Sequence, residues 1–291
     1  MPGKSFHSQP CAVSGASGYV GSIVVQQLRQ TMPVIGLVRR PAHGEDIAWS
    51  LETQKDIAAA LRNRGVRTLI HAAWDLRSSD PAEVKRTCVR GSEALFLSAE
   101  RAGVERIVFI STISAFEGCR SIYGRAKLAV EHMLAGTRHA ILRPGLVYGE
   151  HSGGVFGAIR NRARNSRVLP LIGDGRAPQY LLDEATLAES VRRAVTGEFD
   201  SAGGPITLAH PKAVPFRDLV RDIAKAEKRR PLLIPVPWRL FWAGARTGEF
   251  LHAALPFRSD SILSFVFADP QPDFTRMKAL GISPAEYRYP S

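Results

Sequence analysis

Short apolar runs recur along the first half of the chain, at Cys11–Ser14, Pro33–Val38, Thr68–Ala72, Arg106–Ile110 and Ala140–Leu142, with a weaker one at Ile47–Leu51. Most are continuous in apolarity rather than alternating, as strands buried on both faces require. Between them lie segments with helical spacing. In Tyr19–Gln30, Val20, Ile23, Val24 and Leu28 fall on one face. Pro81–Ala102 follows Asp80, a good N-cap with proline at the first helical position, and stops at Gly103. Tyr123–Ala135 stops before Gly136. Strands alternating with helices predict parallel β-α-β units with right-handed crossovers.

From Glu150 the pattern changes. Residues 150–180 are rich in Gly, Arg and Asn. Helices are predicted at Asp183–Thr196, Phe216–Lys228 and Trp238–Ala254, with short strands near Pro205–Ala209 and Leu232–Val236. Residues 1–149 thus read as one sheet-and-helix unit. Residues 150–291 read as a smaller mixed region, partly interleaved with it.

Composition narrows the classes. With 291 residues and 45% apolar content the chain can bury a real core. Met1–Pro10 are polar, so no secretory signal is expected. No apolar run reaches the about 20 residues of a membrane span; the nearest, Pro231–Pro256, is broken by Arg239, Arg246 and Glu249. Three cysteines, Cys11, Cys88 and Cys119, form no C-x-x-C pair, which argues against a disulfide framework or a zinc site and for a cytoplasmic protein. The net charge of +12 attracts anions, with basic clusters at Arg160–Arg167 and Lys225–Arg230, but no nucleic-acid module is recognisable.

Chemistry begins at Val13-Ser14-Gly15-Ala16-Ser17-Gly18-Tyr19-Val20-Gly21, between the first strand and the first helix. Gly15 permits the sharp turn, Gly18 lets the backbone approach a pyrophosphate, and Gly21 lets the helix pack close to the sheet. The helix N-terminus then faces the phosphates. Strand, loop and helix all stand where a dinucleotide site needs them. At the end of the second strand, where NAD would call for a carboxylate, the chain has Arg39 and Arg40; an arginine there pairs with a 2′-phosphate, which favours NADP over NAD.

Tyr123-Gly124-Arg125-Ala126-Lys127 puts a tyrosine and a lysine one above the other on a helix. A free phenol titrates near 10, and an adjacent ammonium is expected to lower that value and make Tyr123 an acid–base catalyst. Ser111-Thr112, at the preceding strand end, can hold a substrate oxygen.

Together with His71-Ala72-Ala73-Trp74, Val89-Arg90-Gly91-Ser92 and Arg143-Pro144-Gly145-Leu146-Val147-Tyr148-Gly149, these segments resemble the extended short-chain dehydrogenase/reductase superfamily, in particular its NAD-dependent epimerase/dehydratase branch. The resemblance covers most of the chain and implies a Rossmann-like, doubly wound parallel sheet. It implies that Thr112 positions substrate, Tyr123 is the acid–base and Lys127 supports it, with Tyr123 and Lys127 also touching the cofactor. It also implies that Ser17, Tyr19 and Val20 accompany the glycines at the dinucleotide. Ala72, Ala73 and Trp74 would line it, Pro144 to Val147 would meet its nicotinamide end, and Ser50 and Leu51 would flank the adenine.

Some positions depart from the family pattern. Ser50 stands where an aspartate is usual, and Cys88 where an asparagine is frequent. Ile113-Ser114 replaces the Asp-Glu of dehydratases, which argues against water elimination. Thr112 and Tyr123 are only 11 positions apart, which suggests an open pocket or an unusual substrate.

The resemblance implies a nucleoside-diphosphate sugar as substrate, with Arg176 or Arg258 at its diphosphate, and a homodimer through Pro81–Ala102 and Tyr123–Ala135. Epimerisation and net reduction of a keto sugar both remain open. So do reduction of a non-sugar carbonyl and a non-catalytic NADP sensor. Trp238–Ala254 reads either as a buried helix or as one meeting lipid through Trp238, Leu240, Phe241, Trp242, Phe250 and Leu251.

Overall fold

The computed structural model describes residues 9–41, 44–150, 153–251 and 258–288. Its strands are β1 (Cys11–Ser14), β2 (Val34–Val38), β3 (Ile47–Ala48), β4 (Thr68–His71), β5 (Arg106–Ile110), β6 (Ala140–Pro144), β7 (Leu146–Tyr148), β8 (Val168–Ile172), β9 (Pro178–Gln179), β10 (Leu181–Asp183), β11 (Ile206–Leu208), β12 (Val214–Pro215) and β13 (Leu232–Val236). Seven form one parallel sheet in the order β11-β6-β5-β4-β1-β2-β3. The fold is α/β and Rossmann-like. Strand order reverses between β1 and β4, which opens a crevice at their C-terminal ends.

Continuous apolarity has the expected cause. Along β1 and β5, alternate side chains enter opposite cores: Cys11, Val13, Val108 and Ile110 on one side, Ala12, Ile107 and Phe109 on the other. The first core is covered by α1 (Tyr19–Leu28) and by a returning helix of the second half, Glu184–Val195. The second is covered by α2 (Ala58–Asn63), the middle helix and the helix at Ile122–Leu134.

The middle helix departs from a uniform α-helix. It runs as α3 (Pro81–Val84), a π turn at Lys85–Val89, then α4 (Arg90–Ala102). Asp80 accepts hydrogen bonds from the Ala82 and Glu83 amides, and Gly103 takes a left-handed conformation at φ 80°, so both ends close as the sequence predicts. The extra residue of the π turn sets Cys88, fully buried, against the crevice side.

Next come α5 (Ile122–Leu134), α6 (Gly154–Asn165), α7 (Glu184–Val195), α8 (Phe216–Ala226), α9 (Trp238–Phe250), α10 (Ser259–Val266) and α11 (Thr275–Ala279). The hydrophobic pattern predicts no element over 150–180, yet α6 and β8 form there and share a small core with α8. β8 and β13 make a two-stranded parallel ribbon. The far end of the predicted Trp238–Ala254 helix lies outside the described residues. Trp238, Phe241 and Trp242 pack around Ala245 and Ile262, whereas Leu240, Phe250 and Leu251 are exposed, so the helix is half covered. No helix among the described residues is long and apolar enough to cross a membrane.

Candidate active site

The glycine loop follows β1 as a tight turn. Gly15 sits at φ 70°, and a Cβ there would lie 2.8 Å from the Ala73 backbone. Gly21 presses its helix against the loop so closely that a Cβ would come 2.0 Å from the Gly15 carbonyl. Gly18 caps α1 without a side-chain bond, and the first turn carries no acidic residue. Ser17 and Gly18 are exposed beside this uncapped helix end. Tyr19 turns back, donates to Glu184 at 2.8 Å and packs on Gly153. Val20 is half-buried against the core on the α1 side.

Ser14, His71 and Ser92 lock this loop to β4 and α4. Ser92 Oγ donates to the Cys88 carbonyl at 2.6 Å, so it accepts from His71 Nε2 at 2.8 Å. His71 Nδ1 then accepts from Ser14 Oγ at 2.6 Å, and Ser14 Oγ accepts from the Ala73 amide at 3.2 Å. Every group in the chain is satisfied only with a neutral imidazole. Burial, with the nearby Lys127 charge, holds His71 down at about 3. Ala72, Ala73 and Trp74 are thereby fixed beside Gly15.

Across the crevice, Thr112 follows β5 and Tyr123 and Lys127 lie on α5. The Thr112 hydroxyl hydrogen-bonds the Tyr123 phenol and favours phenolate, but burial outweighs it and raises Tyr123 to about 12. Lys127 does not lower it as expected. Its Nζ donates to the Ile110 carbonyl at 2.7 Å and stands 4.1 Å from the Trp74 ring centroid, and burial brings it down to about 7. Trp74 meets the Tyr123 ring edge-on at 5.9 Å. The lysine charge is thus spent on a carbonyl and an aromatic face rather than on the phenol.

Ser111 is buried and already partnered. It donates to Glu131, which also receives Arg143 Nε at 2.9 Å, and this buried group ties β5, α5 and β6 together. Two carboxylates escaped the sequence reading. Asp260 on α10 accepts from the amides of Ile122 at 2.7 Å and Tyr123 at 2.9 Å, capping the helix that carries the tyrosine. Asp46 accepts from the Gly36 amide at 3.0 Å, which places a carboxylate on β2 near the loop residue Ala16. Neither had a motif, because each acts across a long sequence separation or from an irregular segment.

Arg39 and Arg40 are exposed, with Arg39 in electrostatic reach of Asp75. Ser50 bonds Thr53, and Leu51 is buried with its carbonyl against Gly91. Pro144 accepts from the Ile113 amide at 2.9 Å, while Val147 is a core residue paired with Leu182. Arg176 is exposed and paired with Asp174 at 3.4 Å. Arg258 precedes α10 near Glu249; its neighbours Pro256 and Phe257 lie outside the described residues.

A family model described as the NAD dependent epimerase/dehydratase family matches residues 11–183. The chain belongs to the NAD-dependent epimerase/dehydratase family.

That match spans the glycine loop, Thr112, Tyr123, Lys127 and the Arg143–Gly149 segment. No curated protein sequence matches the chain. Among solved structures it is similar to Pal from Bacillus thuringiensis, at TM-score 0.72 and 18% identity over 96% of this chain and 95% of that one. The UDP-glucose 4-epimerase of Thermotoga maritima with UDP-glucose gives 0.71 and 17%, over 95% and 94%. The UDP-glucose 4-epimerase of Thermus thermophilus in complex with NAD gives 0.65 and 22%, over 79% and 86%. At these identities the likeness is one of fold.

Proposed function

We propose that this family member is an NAD(P)-dependent oxidoreductase or epimerase acting at a hydroxyl or keto carbon of a nucleoside-diphosphate sugar. The observation that carries the reading is the convergence of Thr112, Tyr123 and Lys127 on the crevice that also holds the glycine turn. Residues 1–149 would bind the dinucleotide and 150–291 the substrate, in a cytoplasmic enzyme.

The residues fit a dinucleotide. Uncapped amides at α1 and the left-handed turn at Gly15, packed against the Ala73 backbone, would meet its pyrophosphate. Bound there, the dinucleotide supplies or accepts a hydride at the reacting carbon. Thr112 would orient the substrate oxygen, Tyr123 would move its proton, and Lys127 would hold a ribose hydroxyl of the dinucleotide. Exposed Arg39 and Arg40 favour NADP. The NAD of the Thermus structure and the UDP-glucose of the Thermotoga structure support the cofactor and substrate classes.

Arg176 and Arg258 remain the candidates for the diphosphate, each after leaving its own carboxylate neighbour. The short Thr112–Tyr123 connection favours a second reading, reduction of a bulkier non-sugar carbonyl. Mass spectrometry of co-purifying small molecules, with titration by NADPH and NADH, tests both readings. Retained NAD marks an epimerase, and an empty site taking up NADPH marks a reductase. A chain that binds no dinucleotide in either assay overturns the proposal.

A further inference from the structure

The two basic clusters of the sequence become one surface in the fold. α6 and α8 pack together, and Glu227 receives both Arg160 and Arg164. With that carboxylate engaged, Lys225, Lys228, Arg229 and Arg230 are exposed around an open concavity of about 510 Å³. Arg167 is exposed at the start of the adjoining strand, where its carbonyl accepts from the Leu232 amide. Asp222 is in electrostatic reach of Lys225. One cation would answer the dipole at the α8 C-terminus; this cluster exceeds that need.

The ribbon that begins at these cations is apolar on its outer face. Register pairs Leu232 with Val168 and Ile234 with Pro170, and all four are exposed, Leu232 at 63%. The intervening Leu169, Leu171 and Leu233 pack inward. Each strand therefore presents aliphatic groups outward immediately after its basic start.

We propose that this face docks on an anionic phospholipid bilayer, with the cation cluster at the headgroups and Leu232, Ile234 and Val168 in the interfacial layer. A lipid surface offers negative charge and apolar depth side by side, which is the pattern found here. A second copy docked through this same face would set the cation cluster against its own like charge. A single-stranded nucleic acid would meet aliphatic side chains where it needs aromatic stacking partners, and a duplex would leave the aliphatic ribbon without a partner.

Flotation of the full chain with vesicles of phosphatidylcholine alone, or mixed with phosphatidylserine, tests the proposal. The chain should float with the mixed vesicles only, and salt should release it. Lys228→Gln/Arg229→Gln/Arg230→Gln should weaken partitioning about 100-fold, at about fivefold per cation. Leu232→Ser/Ile234→Ser, which leaves the charge unchanged, should weaken it about tenfold. Unchanged melting temperatures would show that both variants are folded. Failure to float, equal flotation with neutral vesicles, or a serine variant that binds like the parent overturns the proposal. So does DNA retention in a mobility shift without vesicle binding, which would assign the face to nucleic acid.

Discussion

The ammonium of Lys127 lies 4.1 Å from the centroid of the Trp74 ring and 2.7 Å from the Ile110 carbonyl oxygen. Burial nevertheless brings Lys127 down to about 7. Its unfolded value is near 10.5. Between the two values the unfolded chain binds the extra proton, so stability should rise with pH from about 7 to about 10.5. Lys127→Met should be more stable than the parent at pH 6, by about 3 °C or more in Tm, and lose that advantage toward pH 10. Thermal melts across that range check the sign.

Tyr123→Phe removes the proton that the proposed reaction moves and leaves the crevice walls in place. Turnover should fall about 100-fold or more, with dinucleotide affinity within about twofold of the parent. Steady-state rates paired with a binding titration separate the two. A sensor protein would keep its function in this variant.

Gly21→Ala places a methyl 2.0 Å from the Gly15 carbonyl, with backbone on both sides of the clash. The helix must lift away from the loop. A loss of about 2 kcal/mol or more in urea unfolding is expected, with dinucleotide binding lost too. Ser22→Ala, at the next and exposed position, should change neither.

Asp260→Ala uncaps two amides at the start of the catalytic helix. Stability should fall by about 1–2 kcal/mol, and hydrogen exchange at Ile122 and Tyr123 should accelerate. Turnover should drop while the dinucleotide still binds.

Leu97 and Met133 are exposed on α4 and α5, the helices proposed to meet their copies in a homodimer. Leu97→Lys should shift the chain to monomer in sedimentation velocity without lowering its Tm as a monomer.

How much was legible depended on how local each cause is. The turn of Gly15–Gly21, the Asp80 and Gly103 ends of the middle helix, and the buried strands β1, β4 and β5 each follow from neighbours in sequence. The pairing of Tyr123 with Lys127 on one helix was equally local. By itself the sequence determined the sheet-and-helix order, the glycine cradle and the presence of a tyrosine–lysine pair. Only the tertiary structure decided what surrounds that pair. Asp260 arrives from 137 residues away to cap Tyr123, Trp74 takes the face of Lys127, and burial drives the phenol up rather than down. Desolvation and long-range hydrogen bonds depend on which atoms replace water around a group, and no spacing along the chain records that.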